Sequence, residues 1–279
     1  MMVNGGGREG MGPLARSWSW HAGKGSVIWQ LMFPAGDIVA GLKRSPALRT
    51  ASLFCLDAGT GREICDAFVP MVGAGSDSPV GEGWMIGLET THDGLLFCHS
   101  FQPGSPEHQG LWAVDLRERR VVWSRPEAVF AANLGTSFLV YRTRLFAGFP
   151  EREYWLVDPR SGEVIEALGT GHERPNLLRM TAEGEETRQG IMLPETRMSD
   201  DGPIELVEAG AAMAEARHLP SLQPGAWSST IRAMVGGLTV HEGIMASASP
   251  GPLFNNFLVR GSKLFYIKEN EALVGVALS

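Results

Sequence analysis

Cysteine is scarce in this sequence, and the few that occur do not pair. Cys55, Cys65 and Cys98 are the only 3 in 279 residues. An odd count without paired spacing argues against a disulfide framework. No C-x-x-C is present, which leaves a zinc ribbon unsupported. Cys55 and Cys98 each stand in apolar runs, where a buried free thiol is expected. Long apolar runs are missing as well: no stretch approaches the roughly eighteen residues of a membrane span, and Met1–Pro13 has no signal-type apolar segment. Together these absences lead us to expect a soluble, reduced, cytoplasmic protein that engages no membrane. The net charge of −7 is mild and of the wrong sign for a general nucleic-acid binder. P-loop, G-x-S-x-G, strand–helix G-x-G-x-x-G and serine-triad signatures are all absent.

What the chain does have is glycine, 35 residues of it, and a repeat. Gly110–Trp123 reads as an apolar strand, an Asp, a short polar turn and a second apolar strand. Degenerate copies lie at Leu53–Ile64 and Tyr154–Ile165. Aligned on Asp57, Asp115 and Asp158, the copies suit pleated, half-buried strands. An Asp starts such a turn by accepting backbone N–H groups two residues on. Turn formation therefore accounts for these carboxylates better than metal binding or acid catalysis. Gly61 and Gly162 supply the positive φ a tight turn needs. Arg119 occupies the same place in the middle copy and suggests a different turn there. The pitch fits the roughly 40–50 residues of a four-stranded propeller blade. The first interval is longer because of Met71–Gly83, which reads as a flexible loop.

The pattern apolar-x-x-apolar-Asp-x-x-x-Gly-x-apolar-apolar resembles the blade repeat of quinoprotein-type (PQQ-like) β-propellers. Trp123 stands where those repeats often carry Trp; Cys65 and Glu166 depart from it. The likeness covers about residues 40–170. At finer grain, Ser105–Asp115 and Leu264–Val274 resemble segments of an uncharacterised bacterial family of small propeller-like proteins, a likeness that implies fold and no activity. A quinone-dependent dehydrogenase is disfavoured by the short chain and the lack of a vicinal cysteine pair.

The expected fold is all-β: a single closed propeller of five or six four-stranded blades over residues 17–279, following a disordered tail over 1–16. Trp18–His21 and Val27–Phe33 are expected to complete the last blade beside the C-terminal strands, removing an open sheet edge. Ala209–Leu219 is alanine-rich, and its propensity predicts a short helical insertion.

Candidate ligand-binding residues concentrate in the second repeat: His92, Asp93, His99, Glu107 and His108. Imidazole and carboxylate are common metal ligands and acid–base groups. Their spacing matches no standard zinc signature, so no metal and no cofactor is assigned from it. His241 and Glu242 are adjacent in a strand and should face opposite ways. The tryptophans at repeated strand positions are expected to pack between blades. Two function classes follow. One is a non-catalytic binding or scaffold protein for a protein or small-molecule ligand. The alternative is a metal-assisted hydrolase or lyase using His and Glu near the central channel.

Overall fold

The structure is a computed structural model that describes residues 15–279 apart from 74 and 103; the expected tail over 1–16 lies almost wholly outside them. The described chain is built from five antiparallel sheets of four or five strands, a propeller-like all-β architecture. By its internal packing it divides into two compact units. One holds residues 24–58 and 62–189. The other holds residues up to Gly23, 59–61 and Gly190–Ser279.

The first of these contains three four-stranded meanders. β2 (Val27–Ala35), β3 (Ile38–Ser45), β4 (Thr50–Asp57) and β5 (Glu63–Phe68) form one. β6 (Ile86–His92), β7 (Leu95–Phe101), β8 (His108–Asp115) and β9 (Arg120–Arg125) form the next. β10 (Val129–Asn133), β11 (Phe138–Phe146), β12 (Phe149–Val157) and β13 (Val164–Gly169) form the third. Each repeat copy is thus the third and fourth strand of a sheet. The aspartates make turns, as expected. Asp115 Oδ1 accepts the N–H groups of Arg117 and Glu118 at 2.9 and 3.0 Å, and Asp158 Oδ1 those of Arg160 and Ser161 at 2.7 and 3.1 Å. Arg119 does not change the turn: its φ of 51° matches the 70° and 72° of Gly61 and Gly162. The tryptophans pack. Trp123 covers Gly162, where a Cβ would collide with the indole, and its Nε1 donates to the Pro159 carbonyl at 3.0 Å.

Met71–Gly83 is more anchored than a flexible loop. Met71 bridges Pro79, Val72 N–H donates to the Ser78 carbonyl, and Val80 is fully buried. Trp112 Nε1 reaches the Val72 carbonyl at 3.2 Å. Two helices close this unit, α1 (Glu173–Thr181) and α2 (Glu185–Gln189). Polar side chains of α2 reach two of the meanders directly and the third through Thr90. Gln189 Oε1 accepts the Phe33 N–H of β2 at 2.7 Å, and Glu185 accepts the Thr90 hydroxyl of β6. Asn133 of β10 in turn donates to Thr90 Oγ1 at 2.7 Å. Apolar propensity has little part in this helix; it is a polar peg.

The other unit holds two five-stranded sheets. β15 (Glu195–Ser199), β16 (Gly202–Ala209), β17 (Ala212–Pro220), β18 (Trp227–Val235) and β19 (Leu238–Ser249) form a meander. The expected helix at 209–219 is therefore wrong: those residues enter β17, hydrogen-bonded on both sides. Ala212, Ala214, Ala216 and His218 are buried, and Met213, Glu215 and Arg217 alternate with them. That period of two outweighs alanine's helical propensity, because small side chains suit a crowded sheet face. The fifth sheet runs β1 (Ser17–His21), β22 (Ala272–Ala277), β21 (Lys263–Lys268), β20 (Phe257–Arg260), β14 (Ile191–Met192). β1 pairs with β22 from Ser17 opposite Val276 to His21 opposite Ala272, as the edge argument expected. Val27–Phe33 does not join it; β2 instead pairs with β3 and opens the first meander.

Candidate functional site

The β6–β7 hairpin turns through Asp93 and Gly94 at φ 45° and 85°, a two-residue turn that fixes the register of everything behind it. His92 opposes Leu95, and pairing runs regularly to Thr90 opposite Phe97. The register then slips, and Leu88 opposes Cys98. Glu89 is the extra residue of this bulge. A second slip follows between β7 and β8: Ser100 opposes Gln109, but Cys98 opposes Trp112. His99 therefore faces both Gly110 and Leu111, with Gly110 at φ 77°. Bulges re-aim side chains. These two turn Glu89 and His99 toward His108, the first residue of β8.

The result is a compact centre. Glu89 Oε1 lies 2.6 Å from His108 Nδ1 and 2.8 Å from His99 Nδ1. The two imidazoles stack 3.6 Å apart at 11°. Phe101 stands edge-on to both rings. His99 is 2% exposed, and the side chains of Glu89 and His108 are 9% and 39% exposed. One oxygen cannot align with two stacked rings at once. His108 makes the hydrogen bond, while the His99 approach lacks hydrogen-bond alignment, and both His99 nitrogens are buried without a hydrogen-bond partner. Such orphaned nitrogens are rare inside proteins and ask for an occupant. Space for the His99 ring comes from Gly87, where a Cβ would lie 2.5 Å from His99 Nε2.

The electrostatics follow. Burial pushes the Glu89 carboxyl upward, but the close polar contacts and charges of His108 and His99 outweigh it and hold the group below the usual carboxylate range. The hydrogen bond to Glu89 raises His108 against partial burial. With one oxygen and two nitrogens, all donor atoms lie within 4.8 Å of one another, a grouping that could hold a metal ion once the parallel rings turn toward a common point. Zinc is held by such His₂Glu sets, with a fourth position left open. A tetrahedral ion with bonds of about 2.0–2.2 Å spaces its donors roughly 3.4 Å apart, so Glu89 must swing outward by roughly 0.6–0.8 Å.

Of the sequence candidates, the structure brings only His99 and His108 into this centre, while His92 Nε2 lies 3.5 Å from Asp93 Oδ2 elsewhere. Glu107 is exposed; its N–H donates to Ser105 Oγ at 3.1 Å and its carbonyl accepts the Gln102 N–H at 2.9 Å, so it shapes the loop. His92 and Asp93 sit at the far, turn end of the same hairpin. Asp93 is clamped by Arg160 from the β12–β13 turn, and His92 packs edge-on against Phe138. Glu89, which supplies the carboxylate, escaped the sequence reading. The signal was the lone charged residue inside the strand segment Ile86–Thr91, at the height of His99 across a two-residue hairpin.

A second buried constellation was also missed. On neighbouring strands, His218 Nδ1 lies 2.8 Å from Ser229 Oγ and His218 Nε2 lies 3.2 Å from Glu205 Oε2. Asn255 N–H donates to the other Glu205 oxygen at 2.8 Å. The residue types are those of a nucleophile–base–acid relay, but all three have 0% exposure. No substrate reaches this hydroxyl, so the set is a satisfied core network. His241 and Glu242 part company as expected: His241 Nε2 lies 3.2 Å from the Tyr266 hydroxyl, while Glu242 lines a charged cleft with Glu215 and Arg217. The thiols offer no nucleophile. Burial pushes Cys55 up to about 12 and raises Cys65, its partner across β4–β5, so both stay protonated.

No family model matches the chain, and no curated protein matches it. Similar solved structures include one of two prolyl endopeptidases, at 13% identity and a TM-score of 0.33 over 91% of this chain. This chain spans 34% of that protein. A putative glycoside hydrolase from Bacteroides ovatus aligns over 91% of this chain and 87% of its own at 9% identity and a TM-score of 0.34. A propeller, that of Dos1, aligns over 92% of this chain and 55% of its own at 12% identity and a TM-score of 0.27. These likenesses are too slight to transfer an activity. No helix among the described residues is long and apolar enough to cross a membrane.

Proposed function

We propose that this chain is a cytoplasmic binding module of propeller-like architecture whose built-in ligand is a divalent metal ion of the zinc class, held by Glu89, His99 and His108. The observation that carries the reading is His99: a buried imidazole whose nitrogens make no aligned hydrogen bond, stacked on a second imidazole that shares its carboxylate. Zinc would give His99 the aligned partner it lacks. Neither a buried serine relay nor a reactive thiol supports chemistry of another kind, which favours a binding role over a catalytic one.

A metal-assisted hydrolase or lyase is the second reading, and one observation favours it. The centre offers three protein donors, and His108 is 39% exposed, so a fourth position would face solvent and admit water.

Elemental analysis and cobalt titration of the purified full chain test the proposal. The expected result is about one zinc per chain, a cobalt spectrum of four-coordinate N/O type, and affinity that falls with pH as His108, raised above its ordinary value, takes up its proton. His99→Ala with His108→Ala should abolish binding. A wild type that neither carries nor takes up zinc, cobalt or manganese would end the reading. Turnover of activated esters or phosphoesters by zinc-loaded protein, absent from the double variant, would select the hydrolase.

A further inference from the structure

β11 and β12 outrun their sheet. Their inner halves pair with β10 and β13, but the register continues from Arg142 opposite Glu153 to Phe146 opposite Phe149 as a bare two-stranded arm. Ala147 and Gly148, at φ 50° and 85°, close it with a two-residue turn. Leu145, Phe146 and Phe149 are 75%, 67% and 75% exposed, the densest group of exposed large apolar side chains among the described residues. From this tip we infer that the arm is a lipid-inserting finger that seats the protein on a bilayer surface.

Three features favour lipid over a protein groove. First, the tip is apolar on both faces. Phe146 and Phe149 share one face, and Leu145 and Pro150, the next opposed pair, share the other. A groove in a partner needs one apolar face; an apolar medium needs both. Second, the tip's length is right. Three residues per strand at about 3.3 Å each give roughly 10 Å, the depth that interfacial apolar segments reach between headgroups and acyl chains. Third, the polar backbone is minimised where it would be dehydrated. Phe146 and Phe149 bond to each other across the turn. The Leu145–Pro150 pair behind them directs its polar groups outward, and there Pro150 has no N–H to leave unsatisfied.

Charge begins at the next rung and stays. Arg144 pairs with Glu151 at 3.1 Å and Arg142 with Glu153 at 2.7 Å, while Arg152 on the opposite face lies over the Tyr141 ring. Long arginine side chains at this height keep their guanidinium groups in the headgroup layer while their stems cover apolar surface. Three arginines against two glutamates leave one positive charge in excess. Apolar insertion should therefore dominate, with a modest preference for anionic lipid. A hydropathy window of span length does not register a six-residue tip, which explains why composition gives no sign of it.

Flotation of the full chain with phosphatidylcholine vesicles, with and without phosphatidylserine, is the test. The wild type should float with both, more strongly with phosphatidylserine. Phe146→Ser with Phe149→Ser should lower the vesicle-bound fraction at least tenfold at an unchanged melting temperature, and Phe149→Leu should retain binding. If the double variant fails to fold, Leu145→Asp alone should show the loss. Failure of the wild type to float would overturn the inference. So would equal flotation of the tip variants, or binding to anionic vesicles alone that salt abolishes. A lipid-free dimer that the tip variants dissociate would assign the arm to a second copy instead.

Discussion

The shared carboxylate of Glu89 makes a prediction that needs no metal. In chelator, Glu89→Gln keeps the side chain's shape and removes the charge that holds two imidazoles. Removing one partner of a buried ion pair costs roughly 3–5 kcal/mol. His108 is 39% exposed, so solvent screens its share, and about 2 kcal/mol is the expected loss near pH 6. In a chain of this size each kcal/mol moves the midpoint by about 2–4 °C, which gives a fall of roughly 4–8 °C. The pH dependence is more diagnostic. Glu89 is held below its ordinary range in the fold, so its contribution is present above the unfolded value near 4.3 and disappears as pH falls through the depressed folded value. His108 is raised, so its contribution is full below about 6.5 and disappears as pH rises through the raised folded value. The wild type should therefore show this stabilisation at its fullest from about pH 4.5 to 6.5. Glu89→Gln should be flatter across both flanks. Thermal melts followed by circular dichroism from pH 4 to 9 measure it. A variant that melts within about a degree of wild type at pH 6, or keeps the same two flanks, would refute the coupling.

Three further outcomes follow from single contacts. Gly87→Ala places a methyl 2.5 Å from His99 Nε2, so it should displace the ring, cost about 1–3 kcal/mol and weaken cobalt uptake by titration. Gln189→Ala strips the acceptor from the Phe33 N–H; a buried amide left unpaired should cost about 1–3 kcal/mol in urea unfolding, with no effect on cobalt affinity. Removing residues 1–21 deletes β1 and bares the β22 edge, so light scattering should show concentration-dependent association that the full chain lacks.

The sheets were far more legible than the site. Asp115 and Asp158 carry their turn chemistry locally, in a side chain two residues from the N–H it accepts, and a one-dimensional pattern records that. β17 was misread because alanine's local preference is visible in sequence, whereas the demand for small residues on a packed sheet face is not. Arg119 was expected to alter a turn that tertiary pairing holds in the same left-handed conformation. Half the centre was found through His99 and His108, which announce themselves by residue type. Glu89 was lost because two bulges decide which strand residues meet, and a bulge is a fault in the periodicity that pattern reading depends on. Glu107, adjacent in sequence to His108, drew attention that belonged to Glu89, nineteen positions before His108.

The pairing of β1 with β22 also sets a timetable for synthesis. β1 leaves the ribosome roughly 250 residues before its partner does, a wait of about 12–50 s at ordinary translation speeds. Throughout that interval the β1 segment has no native neighbour to receive its hydrogen bonds, while the meanders beginning at β2 can pair as they emerge. Any product interrupted before Ala272 leaves the ribosome with that vacancy permanent. For the quality-control machinery, Trp18 and Trp20 on an unclaimed strand are a readable mark of an unfinished chain.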